Sequence, residues 1–252
     1  MQSVTHTAIV TGGGRGIGAA IAVGLARRGI QVAVVSRTAR ELQRTVNAVE
    51  AVGGKAVAIP SDLTAPDSVE RVLVETRQRL GAPDILVNNA GLAESAPLAR
   101  TDDSLWDRHL SLNLTAAFWF CRAIGPAMVN RGWGRIVNIA SAAAEHPVPY
   151  SAAYSASKAG LVGLTRALAA ELGPHGVTVN AICPAWVETA MATHAVERAV
   201  ARTKKTAEAV RSELLSRSGQ SRFLKPEEVA GVAGYLITDE ASAINGQSWT
   251  VA

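Results

Sequence analysis

Short apolar runs alternate with amphipathic stretches along almost the whole chain. Ala8–Thr11, Gln31–Val35, Lys55–Ile59, Ile85–Asn88, Arg135–Ala140, Val177–Ile182 and Ser248–Val251 read as strands, each short and most of them apolar. Between them, helical patterning covers roughly 17–28, 38–52, 66–80, 102–130, 151–173 and 226–237. Runs such as I-L-V and R-I-V-N-I-A have no polar face, which suits parallel strands covered by helices on both sides. Right-handed crossovers then predict a doubly wound α/β parallel sheet of about seven strands. With no repeat and no linker, 1–252 reads as a single domain. The stretch 190–222 breaks the alternation: it has no strand and reads as one or two amphipathic helices. An insertion of that length between core elements predicts a helical lid.

Composition narrows the class. With 48% hydrophobic and 18% charged residues, the 252-residue chain belongs with globular proteins. A net charge of +4, evenly spread, argues against a nucleic-acid partner. No apolar run approaches the ~20 residues of a membrane span, so no membrane association is expected. The start, M-Q-S-V-T-H-T-A-I-V, lacks the basic-then-apolar order of a signal peptide, and a cytoplasmic location is the expectation. Cys121 and Cys183 lie among apolar neighbours and read as buried packing residues. No metal is expected.

The first strand runs directly into Thr11-Gly12-Gly13-Gly14-Arg15-Gly16-Ile17-Gly18, followed by a helix of small residues. Glycines let a pyrophosphate approach the backbone, and the helix start offers free N–H groups at a positive dipole end. The second strand ends at Ser36-Arg37, where many dinucleotide folds carry an acid for the ribose hydroxyls. Arg37 and Arg15, without a carboxylate there, favour a 2′-phosphate and hence NADP(H) over NAD(H).

Tyr154 and Lys158 stand four residues apart on one predicted helix, and Ser141 ends the apolar run before it. An ammonium beside a phenol whose ordinary pKa is about 10 would pull it toward the range of proton exchange at neutral pH. A serine hydroxyl close by would hold a carbonyl oxygen.

Taken together these motifs resemble the short-chain dehydrogenase/reductase family over essentially the whole chain. T-G-G-G-R-G-I-G resembles the family's cofactor loop, and Asn88-Asn89-Ala90-Gly91 its N-N-A-G segment. Asn113, Ser141, Tyr154 and Lys158 match its catalytic set in order and spacing. Asp62-Leu63 resembles the pair at the adenine, and the Pro184–Thr189 segment, with Val187, the stretch beside the nicotinamide. The resemblance implies a Rossmann-like fold and an oxidoreductase. Tyr154 would serve as acid or base and Lys158 would lower its pKa and hold the ribose. Ser141 would bind the reacting oxygen, and Asn113 would support a water leading to Lys158. Two departures stand out. Ala185 replaces the family's usual glycine, and the chain ends Q-S-W-T-V-A without the common V-D-G-G. The family implies a homotetramer or homodimer.

G-R-I-V-N-I-A-S, Y-S-A-S-K and C-P-A-W-V-E-T-A-M are similar to segments of polyketide-type ketoreductases. The 213–230 segment is similar to 3-hydroxybutyrate dehydrogenases and 3-oxoacyl reductases. All act on a β-keto group or its alcohol. Glu94, His146, Val148, Tyr150 and Trp186 are the substrate-pocket candidates. Arg198, Arg202, Lys204, Lys205 and Arg211 make the lid basic, a surface suited to coenzyme A or a carrier protein, or simply a solvated face. The leading expectation is NADPH-dependent ketone reduction. The same machinery run backwards oxidises a secondary alcohol, and a third reading is a dinucleotide binder with no turnover, which would have no use for Tyr154.

Overall fold

Continuous apolar strands need cover on both faces, and the chain supplies it. The computed structural model describes residues 5–252. Its strands are β1 (Thr7–Thr11), β2 (Gln31–Ser36), β3 (Ala56–Pro60), β4 (Ile85–Asn88), β5 (Gly134–Ile139), β6 (Val177–Pro184) and β7 (Ser248–Val251). They form one sheet in the order β3-β2-β1-β4-β5-β6-β7, every neighbouring pair parallel. The helices are α1 (Gly16–Ala26), α2 (Ala39–Glu50), α3 (Ser68–Leu80), α4 (Asp103–Leu110), α5 (Ala116–Arg131), α6 (Ala152–Leu172), α7 (Ala190–Thr203), α8 (Ala207–Ser218) and α9 (Pro226–Leu236).

Alternation along each strand divides the core in two. Ala8, Val10, Val32 and Val34 face α1, α2 and α9 through Ile21, Leu25, Leu42, Val46, Val229 and Ala233. Ile9, Ala33, Val35 and Leu86 face the opposite way, toward Val72, Leu73, Phe120, Ile124 and Met128 of α3 and α5. This is the period-two pleat of a strand buried on both sides.

The chain winds outward from β1 to β3, then returns to start β4 on the other side of β1. A switch point of this kind leaves a crevice at the carboxyl ends of the strands. The segments after β1, β4, β5 and β6 all open into it.

Three expectations change in detail. The predicted helix over 102–130 is interrupted by a π turn at Ser111–Thr115, which separates α4 from α5. The Asp103–Arg131 run is long enough, and one 18-residue stretch of it apolar enough, to pass for a membrane span by length and composition. Phe120, Cys121, Ile124 and Met128 are instead sealed in the core, so its apolarity is that of an interior helix. β6 extends two residues beyond the predicted end because Cys183 and Pro184 pair with Thr250 and Val251 of β7.

The 190–222 insertion forms two helices, α7 and α8. Thr189 and Thr206 cap them by accepting the N–H groups of Ala192 and Ala209. Only Ala192 and Val196 of α7 and Val210 of α8 are buried.

Candidate active site

The glycine loop and the Asn88–Gly91 segment interlock before any ligand is considered. The Thr11 hydroxyl accepts the N–H groups of Asn89 at 3.0 Å and Ala90 at 3.1 Å. In return the Asn89 amide donates to the carbonyls of Thr11 at 2.9 Å and Gly12 at 3.1 Å. Gly18 is enclosed: an added Cβ would strike the Gly12 carbonyl and lie 2.5 Å from the Asn89 amide nitrogen. Gly12 is in the left-handed region at φ +63°, where glycine alone is unstrained.

No side chain caps α1, so the amides of its first turn, at Gly16, Ile17 and Gly18, are open to a phosphate. Beside the loop, the buried Ser36 hydroxyl has no hydrogen-bond partner, and Gly14 leaves room for it; a Cβ there would lie 2.9 Å from it. An open helix start, a cradle that side chains would fill and an orphaned hydroxyl together fit a dinucleotide.

At the adenosine end, Asp62 accepts from the Thr64 N–H at 3.0 Å and the Thr64 hydroxyl at 2.8 Å. Those two bonds, with Arg37 nearby, hold its carboxyl below the usual range. Leu63 is buried against α3 and α5. The expectation of arginines without a carboxylate needs correction. Glu41, in the first turn of α2, accepts from Arg15 at 3.2 Å. It lies five residues beyond Ser36, and sequence spacing alone does not say that α2 folds back over the glycine loop.

At the other end of the crevice, Ser141 follows β5 and caps a short turn by accepting the Ala143 N–H at 3.2 Å. Tyr154 and Lys158 share a face of α6. Burial pushes the Tyr154 phenol above its ordinary pKa, and the Ser141 hydroxyl close by draws it back. Lys158 is 4% exposed and donates to the Ile139 carbonyl at 2.8 Å. Burial lowers its pKa from 10.5 to about 8. The expected direct depression of the tyrosine by the lysine is therefore not the dominant effect in this structure. The ammonium is turned toward the sheet, and desolvation governs both groups. Gly91 lets the β4 segment approach closely: a Cβ there would lie 3.0 Å from the Asn113 oxygen and 3.4 Å from the Lys158 nitrogen.

Asn113 reaches the site because the π turn carries it inward, a frequent use of such turns. Its oxygen accepts the Leu92 N–H at 2.8 Å, and its nitrogen donates to the Leu92 carbonyl at 3.0 Å and the Ser157 hydroxyl at 2.9 Å. Ser157 in turn donates to the Tyr154 carbonyl at 2.7 Å. Both amide hydrogens are thus engaged in tying the loop after β4 to the tyrosine helix.

The substrate-pocket candidates separate. The Glu94 carboxylate is taken by Arg108 at 3.0 Å. Tyr150 is exposed, left-handed at φ 70°, and carries the Arg202 guanidinium 5.1 Å from its ring centre. His146 and Val148 are exposed on the same turn. The Trp186 ring packs on Phe223 at 5.9 Å, while its backbone is held by Gln220 and Leu224. Pro184 ends β6, Val187 is buried and Thr189 caps α7. Sequence reading placed Arg198 among the basic residues of 190–222 without its contact, a bond from α7 to the Ala93 carbonyl at 3.1 Å, and it missed His109, which is fully buried beside Tyr154. Most lid cations are engaged: Arg202 on Tyr150, Lys205 on Glu213 and Arg211 on Glu188. A cavity of about 690 Å³ opens under α8 between Glu188, Arg211 and Phe223, and none of Ser141, Tyr154 or Lys158 lines it.

A doubly wound parallel sheet with a glycine-rich cradle at its switch point defines a dinucleotide-binding α/β protein. The family model described as short chain dehydrogenase matches residues 6–222, and the chain belongs to the short-chain dehydrogenase/reductase family. It is an oxidoreductase of that family, acting on carbonyl or hydroxyl groups. It is 40% identical to a ketoacyl reductase assigned to the monensin polyketide synthase of Streptomyces virginiae, over 99% of this chain and 97% of the relative. It is 37% identical to a D-beta-hydroxybutyrate dehydrogenase of Rhizobium meliloti, over 96% of this chain and 95% of the relative. A crystal structure of an actinorhodin polyketide ketoreductase variant with NADPH superimposes with a TM-score of 0.94 at 37% identity, covering 98% of this chain and 96% of that one.

Proposed function

We propose that this protein reduces a ketone, of β-keto acyl or related type, using NADPH. The observation that carries the reading is the Ser141 hydroxyl beside the buried Tyr154 phenol, with Lys158 buried one helical turn further along. NADPH supplies a hydride to the carbonyl carbon. Ser141 orients the carbonyl oxygen, on which negative charge develops, and Tyr154 gives that oxygen its proton. Lys158, bonded to the Ile139 carbonyl, would bring a positive charge into the buried site in which the phenolate remains, and would be available to the ribose. Asn113 holds the loop after β4 and the tyrosine helix together. Gly12, Gly14, Gly16, Ile17 and Gly18 would hold the pyrophosphate, and Asn89, Ala90 and Gly91, together with Pro184, Val187 and Thr189, would hold the nicotinamide end.

Arg15 and Arg37 favour the 2′-phosphate. The Arg15–Glu41 pair is exposed and worth at most about 1 kcal/mol, so a phosphate can displace the carboxylate. Likeness to an NADPH-bound ketoreductase supports the same choice. The substrate reaches Tyr154 beneath α7 and α8, with Arg198 and Arg202 at the rim to meet a coenzyme A or carrier-protein thioester. Similarity to a hydroxybutyrate dehydrogenase supports a second reading, in which the same residues oxidise a secondary alcohol.

Absorbance at 340 nm with a panel of β-keto thioesters and cyclic ketones tests the reading. Turnover with NADPH is expected. Tyr154→Phe should lower kcat at least a thousandfold while leaving NADPH binding intact, and retained activity would remove the tyrosine from the chemistry. A lower KM for NADH than for NADPH would overturn the cofactor choice.

A further inference from the structure

We infer that His109 is a positioning residue for this reaction, holding the loop after β4 and the Tyr154 ring in one register. The inference rests on the reductase reading of the site. His109 lies on α4 with no exposed surface. Its Nδ1 is 2.8 Å from the Leu105 carbonyl, and its Nε2 is 3.1 Å from the Glu94 N–H. A carbonyl can only accept and a backbone N–H can only donate, so the ring is neutral with its proton on Nδ1. It meets the Tyr154 ring nearly edge-on, with centres 6.3 Å apart and planes at 74°.

The loop it grips is held residue by residue. Asn113 takes both backbone groups of Leu92, Arg198 takes the Ala93 carbonyl, His109 takes the Glu94 N–H, and the Tyr150 carbonyl takes the Ala96 N–H. His109 and Asn113 are four residues apart on one continuous helical run, so a single element sets the loop from two points. Leu92–Ala96 borders the tyrosine side of the crevice, whereas the glycine loop is pinned separately by Thr11 and Asn89. Loss of the His109 acceptor should therefore loosen the substrate side and leave the cofactor side unchanged. An aliphatic side chain would fill the volume but leave the Glu94 N–H without its partner, a defect that natural structures rarely carry.

The test compares His109→Leu with His109→Gln, whose side-chain oxygen can replace Nε2 as acceptor. Ketone KM and kcat, NADPH affinity by fluorescence, and amide exchange of the peptide spanning 92–97 are measured for each. The leucine variant should raise the ketone KM about fivefold, leave the NADPH Kd unchanged, and speed exchange in 92–97. The glutamine variant should recover most of both effects. Unchanged KM and exchange in the leucine variant would overturn the inference. A glutamine variant as impaired as the leucine one would overturn it too, as would parallel loss of NADPH affinity. Should His109→Leu not fold, His109→Met serves the same comparison. If the unmodified protein turns over no ketone, the reductase reading fails, while amide exchange still decides whether His109 holds the loop.

Discussion

The carboxyl ends of β1, β4 and β5 and the paired helices α7 and α8 border the same crevice, yet they are held by opposite means. Under the crevice a buried polar lattice runs across the sheet. Asn88 donates to the Asn138 oxygen at 2.9 Å, Asn138 donates to the Thr165 hydroxyl at 2.8 Å, and Thr165 donates to the Leu161 carbonyl at 2.8 Å. This lattice joins β4 to β5 and β5 to the helix that carries Tyr154 and Lys158. Above it, α7 and α8 bury three residues between them and touch the body through exposed pairs such as Arg211–Glu188 and Arg198–Ala93. Buried hydrogen bonds in low dielectric are strong and costly to break, whereas exposed ion pairs contribute ~1 kcal/mol or less. The residues proposed for the chemistry sit on the first kind of support, and the helices proposed to cover them sit on the second.

Four substitutions sharpen or break that contrast. Gly18→Val should act most strongly, because its side chain would enter the Gly12 carbonyl and the Asn89 amide. Loss of NADPH affinity by more than a hundredfold is expected in fluorescence titration, and near-native binding would show that the loop is not rigid.

Lys158 comes next. Because burial lowers its pKa from 10.5 to about 8, the unfolded chain binds more protons than the folded one between those pH values. The penalty for burying its charge is therefore full below pH 8 and fades as pH rises toward 10.5. Relative to Lys158→Met, the protein should gain about 3 kcal/mol across that window, measured by urea unfolding at both ends. Parallel curves for the two proteins would show that the charge is not buried.

Asn138→Ala should cost about 2 kcal/mol by leaving the Asn88 amide only the weak Cys121 sulfur acceptor and removing a partner from Thr165, read as a lower urea midpoint at constant slope. A loss no larger than at a surface site would mean the lattice is dispensable. Arg198→Ala should be mildest: a few-fold rise in ketone KM with stability within about 0.5 kcal/mol of the parent. A stability loss matching that of Asn138→Ala would erase the distinction between lid and lattice.

Much of the fold was legible because its signals are local. Continuous apolar runs and intervening periodicity located all seven strands and the helices around them, with β6, α1, α2 and α3 shifted by about two residues at one end. The glycine loop and the Tyr154–Lys158 spacing were equally readable, since a tight turn and an i, i+4 pair are properties of neighbouring residues. The π turn at Ser111–Thr115 was not readable, because its stretch continues the helical pattern on both sides. Only the bonds from Asn113 to Leu92 and Ser157 show what inserting it accomplishes.

The sequence by itself determined the doubly wound sheet, the glycine-rich loop after β1 and the neighbourhood of Tyr154 and Lys158 on one helix. Tertiary structure decided what surrounds them. It brought Glu41 to Arg15, turned Lys158 toward Ile139 rather than the phenol, made burial the ruling influence on both titrating groups, and set His109 against Tyr154 and Glu94. The physical reason is range. Strand, helix and turn preferences act over a few residues, whereas desolvation and hydrogen-bond partners depend on segments separated by tens of residues and joined only when the sheet closes.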